Sequence, residues 1–358
     1  MDKRDFAGIE VSKDELLVAL RRGGQTLPLK SFSNTPEGHR VLARYLARKG
    51  RLVRVCMEST GVYGLDLALL LHKRAGVEVM VANPRAVRHF AQALMQRSKT
   101  DPLDALVLLE FAVRMPFHSW QPPSAIGLHL CAMARRLESI THLCTDEKNR
   151  LHAAGAAQAL PAIIRQDLRR SIAFHERAAA RLARQALQLI AADPLLQERF
   201  DSLDSIPGIA STSALALLAE LTMLSPDRDA RQWVASAGID PREYSSGSSV
   251  HKKTRISKAG NRHLRRALYM PALVAVHHDP HLRAFYQHLL AKGKPKMQAL
   301  VAVMRKLLHA IFGMFKHRQP YDGSKLFRLE LCTTEVAGNP SKEKGFLASS
   351  QREKILAY

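Results

Sequence analysis

Cysteine is scarce in this chain. Cys56, Cys131, Cys144 and Cys332 are the only four among 358 residues, and no two form a CxxC pair. This argues against a zinc module or a disulfide scaffold, and free thiols in a reducing cytoplasm are the expected state. Aromatic residues make up only 6%, which leaves few stacking platforms for single-stranded bases. Apolar stretches such as residues 65–71, broken by Asp66, fall short of the ~20 residues of a membrane span. The start, Met1-Asp2-Lys3-Arg4-Asp5, lacks signal-peptide character, and no membrane partner is expected.

Acid is also in short supply. Asp and Glu number 32 against 54 Lys and Arg, a formal charge of +22. Such an excess favours a polyanionic partner, because neutralising phosphates releases counterions. A basic membrane-surface protein is the competing class, but no cationic amphipathic helix with an anchor follows from the sequence. The 16 histidines scatter, His277-His278 alone making a weak metal site, and are read as surface and nucleic-acid-facing groups.

Patterning divides the chain into four parts. Residues 1–122 alternate strands and helices. Strands are expected over 9–11, 16–21, 26–32, 52–57 and 77–81, and helices over 35–49, 63–74, 84–96 and 101–115, giving a mixed α/β sheet. Trp120-Gln121-Pro122-Pro123 marks a boundary. Residues 123–199 form a helical hairpin or coiled-coil linker, its two long helices separated at Pro161. A spacer or dimer arm and direct RNA contact are both open for it. Residues 200–320 form a mainly α domain, and 321–358, without periodicity, a flexible tail. The turn Ile206-Pro207-Gly208-Ile209 suits either a phosphate-holding hairpin between helices or a plain helix–helix corner.

Four acids stand where one element hands over to the next. Glu10 ends an apolar strand, Glu58 ends another, and Asp101 and Asp104 lie at a helix start with Pro102 in its first turn. Carboxylates so placed can converge on a hard divalent cation and serve phosphodiester chemistry. Each taken alone is a solvated surface charge.

A second constellation runs from Arg242 to Arg266. A Ser-Gly-rich loop (Tyr244-Ser245-Ser246-Gly247-Ser248-Ser249) leads into a cationic stretch and a basic helix starting near Gly260-Asn261. Arg242, Lys252, Lys253, Arg255, Lys258, Arg262, Arg265 and Arg266 are the candidate nucleic-acid contacts. The serines either donate hydrogen bonds to phosphate, or one of them attacks phosphorus while the cations stabilise developing charge.

Five stretches in this order resemble the DEDD-type transposases of the Piv and IS110 class of bacterial insertion sequences. They are Gly8-Ile9-Glu10-Val11-Ser12-Lys13, Met57-Glu58-Ser59-Thr60-Gly61-Val62-Tyr63, Lys99-Thr100-Asp101-Pro102-Leu103-Asp104-Ala105, Ile206-Pro207-Gly208-Ile209, and Ser246-Gly247 through Arg255-Ile256-Ser257-Lys258-Ala259-Gly260-Asn261. The resemblance implies an RNase H-like, RuvC-type domain, a coiled-coil linker and a C-terminal transposase domain. It implies an enzyme that cuts and rejoins donor and target DNA with Mg²⁺ (Mn²⁺ as a substitute), in the bacterial cytoplasm and at the nucleoid. Glu10, Glu58, Asp101 and Asp104 would be the metal ligands and Ser246 the nucleophile, with Ser245 its rival. A structured guide RNA, the bridge RNA, and a homo-oligomer (dimer or tetramer) would be partners. The family usually has Asp at the first acidic position, where this chain has Glu10, whose extra methylene shifts the carboxylate by ~1.5 Å. A RuvC-like nuclease or junction resolvase, and an inactive binding protein derived from a transposase, are the alternatives.

Overall fold

A computed structural model describes residues 4–47, 50–58, 61, 63–96, 98–156, 161–247 and 250–329. The fold is mixed α/β, with an N-terminal sheet and a mostly helical C-terminal region. Cys332 and most of the expected tail lie outside the described residues.

The sheet comprises β1 (Arg4–Val11), β2 (Glu15–Arg22), β3 (Gln25–Thr26), β4 (Lys30–Ser33), β5 (Leu52–Glu58) and β6 (Val77–Ala82). Its order is β3-β2-β1-β5-β6, with β4 also on β2. β1 and β2 are antiparallel, joined through the tight turn at Ser12, whereas β1, β5 and β6 run parallel. The single strand expected over 26–32 is instead two short ones. Pro28 stands between them and has no N–H to donate to a ladder.

Helices cover both faces of this sheet. α1 (Pro36–Leu46) and α2 (Leu65–His72) pack on Ala7, Ile9, Val53, Val55 and Met57. α3 (Pro84–Ala93) and α4 (Asp101–Arg114) cover the face that carries Cys56. The alternation of strand side chains therefore sends Ile9 and Met57 to one layer, and Glu10 and Glu58 to the other.

One buried charge pins the edge of the domain. Asp5, 1% exposed, accepts from Arg51 at 2.6 and 2.9 Å, from Arg22 at 3.3 Å and from the Gly23 N–H. Burial opposes ionisation, yet the Arg51 bond, the Gly23 N–H and the two guanidinium charges hold the carboxyl below its usual range. Arg22 also donates to the carbonyls of Tyr45 and Leu46 at the end of α1. Asp5→Ala is expected to lower stability by about 3 kcal/mol, because it removes the buried carboxylate that Arg22 and Arg51 share. Urea unfolding of the two proteins checks this.

α5 (Ala125–Ala156) and α6 (Ala162–Ala191) pair along their length, as the break at Pro161 suggests. Their base is part of a larger core. Leu130, Ala134, Ala186 and Ile190 pack with α7 (Pro194–Asp204), α8 (Ser211–Leu221), α9 (Ala230–Ala237), α10 (Arg262–Ala267), α11 (Tyr269–His278), α12 (Pro280–Ala291) and α13 (Lys296–His317). α13 is long and apolar enough, by length and composition, to cross a membrane, a feature that run-length reading of the sequence missed. Its stripe from Leu300 through Leu307 to Met314 faces this core, so the apolarity is accounted for by packing.

Gly208 packs tightly within the 206–209 turn. It has φ +97°, and a Cβ there would lie 2.6 Å from the Ala275 backbone nitrogen and 2.9 Å from the Pro271 carbonyl. Ile206 and Ile209 are buried beside it. The turn joins α7 to α8 and is seated on α11, where its glycine allows the close approach.

Candidate active site

Parallel pairing of β1 with β5 sets Ile9 opposite Met57, so Glu10 and Glu58, one residue further on, leave the two strand ends side by side. α4 brings the other two acids over them. That approach depends on Gly8, where a Cβ would lie 2.2 Å from the Leu109 backbone nitrogen and 2.3 Å from the Ala105 carbonyl oxygen. With no side chain at Gly8, the helix rests directly on the strand, and its first turn, carrying Asp101 and Asp104, reaches the carboxylate end of the sheet.

The four acids act on one another electrostatically. Burial raises the Glu10 carboxyl to about 7, helped by the negative charges of Asp104, Glu58 and Asp101, with Lys99 opposing. Burial likewise raises Glu58 and Asp104 above the usual range, against the pull of Lys99. Glu10 Oε2 is the one buried side-chain oxygen or nitrogen among the described residues without a hydrogen-bond partner. An orphaned carboxylate oxygen facing three more carboxylates is a donor set suited to a hard divalent cation. Among the described residues, no three acids, histidines or cysteines are already close enough to grip an ion together. Binding would therefore draw the carboxylates inward, and the longer reach of Glu10 suits that movement.

The sign of the pH effect follows. Between about 4.5 and 7 the folded protein keeps a proton on Glu10 that the unfolded chain has released. Stability from this group is thus present below about 4.5 and lost as pH rises through about 7. Glu10→Gln is expected to lack this loss, so its melting temperature gains on the wild type between pH 5 and pH 8. Adding Mg²⁺ at pH 8 should raise the wild-type melting temperature more than that of the variant. Thermal unfolding at both pH values, with and without the ion, reads this directly.

A tie between loops supports the strand ends. Asn34 Nδ2 donates to the Ser12 carbonyl at 2.8 Å and to the Tyr63 carbonyl at 3.2 Å, joining the segments that follow Glu10 and Glu58. The buried His39 ring, 2.7 Å from Asn34 Oδ1, fixes the amide. His39 is thus a core positioning group, against the expectation that the histidines face outward. Burial lowers its pKa, with Asp66 opposing, which favours the neutral ring that donates to Asn34.

The Ser-Gly segment is not a loop but a two-stranded hairpin, β7 (Pro241–Ser246) and β8 (Val250–Ile256). Every residue of β7 is exposed. Tyr244 stands opposite Lys252, Ser245 opposite His251 and Ser246 opposite Val250, and Gly247, at φ +57°, follows at the turn. Ser246 ends β7 beside it. None of the described hydrogen bonds or electrostatic interactions joins Ser246 to the four acids.

Two family models match the chain. Residues 7–154 fit the IS110 DEDD transposase domain, and residues 201–287 fit the transposase family IS116/IS110/IS902. The first match contains all four acids, and the second contains the hairpin. Over these two stretches the chain is similar to the IS110-family DEDD transposases. These are DNA transposases or recombinases. The pilin gene-inverting protein of Moraxella bovis is 29% identical over 328 residues, spanning 89% of this chain and 98% of that protein. Its counterpart from Moraxella lacunata is 29% identical over 298 residues, spanning 82% and 90%. The uncharacterized 43.6 kDa protein of insertion element IS110 from Streptomyces coelicolor is 31% identical over 160 residues, 45% of this chain and 38% of that protein.

A DEDD transposase domain implies dependence on a divalent metal in general. These matches do not support the serine nucleophile or the guide RNA that the resemblance implied, and the DEDD class points to a different mechanism from serine attack. The transposase also uses some of its expected nucleic-acid contacts internally. Arg265 Nη1 donates to the Ala237 carbonyl at 2.8 Å, and Arg266 pairs with Glu138 at 3.1 Å. Arg242, Arg255 and Arg262 are exposed. The side chains of Lys252 and Lys253 lie outside those described. Lys99 was missed as a site residue, although it lies two positions before Asp101 in the matching stretch.

Proposed function

We propose that this chain is a site-specific DNA transposase or recombinase that cuts and rejoins donor and target DNA at a Mg²⁺ site formed by Glu10, Glu58, Asp101 and Asp104. The unpartnered Glu10 oxygen among three other carboxylates carries the reading. The sheet order, with an antiparallel β1–β2 pair and parallel β1, β5 and β6, supports an RNase H-like domain. The ion, when bound, would stabilise charge on the attacking and leaving oxygens. The chain's own groups do the rest. The strand ends and α4 hold the acids in register, Gly8 sets their depth, and Lys99 offers a cation beside them for a phosphate oxygen. Inversion of a DNA segment, the activity in the name of the Moraxella relatives, is the product class to assay. Cleavage of labelled junction DNA with Mg²⁺ or Mn²⁺, abolished by EDTA, tests the reading; metal-independent cleavage defeats it.

A second reading is favoured by the exposed position of Ser246 on its own hairpin. Ser246 Oγ would attack phosphorus, forming a new O–P bond as the bond to the leaving strand breaks, within a dimer or tetramer guided by a structured RNA. Denaturing gels decide between the two readings. A protein–DNA adduct lost in Ser246→Ala and kept in Ser245→Ala supports the serine step. Undiminished cleavage without an adduct in Ser246→Ala leaves metal-dependent hydrolysis of the RuvC type. Omitting RNA from the same reactions tests for a guide.

A further inference from the structure

A cavity of about 780 Å³ opens between the sheet domain and the base of the hairpin, within the size range of ligand clefts, about 300–1,000 Å³. One wall is the start of α3, which follows strand β6 beside the Glu58 strand. The other wall is α9 and the segment that joins β8 to α10. Arg85 comes from the first wall, and Arg228 and Lys258 come from the second. No carboxylate lines the cavity among the described residues, and none of the three cations is ion-paired there.

The second wall is built to hold its charge in place. Lys258 has φ +51°, left-handed backbone that usually falls to Gly or Asn and costs a side-chain-bearing residue about 1 kcal/mol or more. Its N–H donates to the Gly238 carbonyl at 3.0 Å, and the neighbouring Ser257 N–H donates to the Asp240 carbonyl at 2.9 Å. Gly260 lies against the Ser236 carbonyl so closely that a Cβ would approach it to 2.2 Å. Arg228 donates to Ser236 Oγ on the same wall. A glycine at 258 would relieve the backbone; lysine keeps a cation facing the cleft.

We infer that this cleft binds the phosphodiester backbone of a nucleic-acid strand through Arg85, Arg228 and Lys258, carrying it between the carboxylate end of the sheet and the hairpin. The inference rests on the proposed reading that nucleic acid is the substrate, and it adds a path for the strand. Cations without base-reading partners position a strand and carry no sequence information.

The test uses the full-length chain and three probes of one random sequence: duplex DNA, single-stranded DNA and single-stranded RNA. Affinity is measured against salt for the wild type, for the triple variant Arg85→Gln, Arg228→Gln and Lys258→Gln, and for Glu58→Gln. Three lost phosphate contacts should lower the slope of log K against log salt by about 2.7 for duplex or about 2 for single strands. The probe showing that drop identifies the occupant. Glu58→Gln should keep the wild-type slope while losing cleavage. A triple variant that melts like the wild type and keeps its slope on all three probes overturns the cleft assignment and leaves the proposed function standing. A wild type that binds none of the probes overturns both.

Discussion

Glu58→Gln is expected to reduce DNA strand cleavage by about a thousand-fold, which is ~4 kcal/mol of transition-state stabilisation at 1.36 kcal/mol per decade. The substitution keeps the shape and half-burial of the side chain but removes one of the negative charges that face Glu10. Glu10 should then release its proton at lower pH, because Glu58 is among the groups that raise it. The fold should be unharmed or slightly firmer, since fewer like charges crowd the strand ends. Single-turnover cleavage at saturating Mg²⁺, with melting temperature measured in parallel, separates the two effects. Near-normal cleavage in this variant would show that the four carboxylates are not the reacting centre.

Gly8→Ala should have an effect of similar size for a different reason. The new methyl would overlap the backbone of α4 at Ala105 and Leu109, where no flexible side chain can swing away. The helix would have to lift from the sheet by roughly an ångström, and overpacking of that kind costs at least about 3 kcal/mol. Asp101 and Asp104 travel with α4, so the acids would separate even in molecules that stay folded. Unfolding and cleavage should therefore both suffer. A variant that folds normally and cleaves at the wild-type rate would refute the claim that this contact sets the depth of the site.

These two residues show what could be read from the sequence and what could not. Glu58 is a candidate in the sequence because a β-rich apolar run ends on it before turn-forming residues; Glu10 follows by the same logic, and Asp101 and Asp104 follow from a helix start with Pro102 in its first turn. Gly8 appeared only as part of a matching stretch, since a missing side chain leaves no pattern from which to infer a helix crossing. The sheet and its helices follow the hydrophobic periods closely; α3 starts at Pro84, and α4 starts at Asp101 with Pro102 in its first turn. Pro28 was passed over within a strand, although its lack of an N–H predicts the break. Serines, glycine and lysines over 242–256 suggest a loop by composition, and the exposed β7 has no apolar alternation to mark it as a strand. The Arg85 wall of the cleft could not be foreseen, because it depends on two distant segments meeting in space.

The pairing of the buried Glu220 with the more exposed Arg135 has a mechanical consequence. Glu220, 2% exposed, takes both ends of the Arg135 guanidinium at 2.8 and 2.9 Å and also accepts from Asn261, the residue that caps α10. Arg135 belongs to α5, a helix of 32 residues, ~48 Å long at 1.5 Å per residue. The root of the hairpin and the shaft of the long arm are thus bolted at one point. Tilting the arm by itself would draw the guanidinium away from Glu220 and leave the acid to Asn261 and the Cys131 thiol. Arm and hairpin therefore turn as one lever, and a load applied near Ala156 is felt at Asn261.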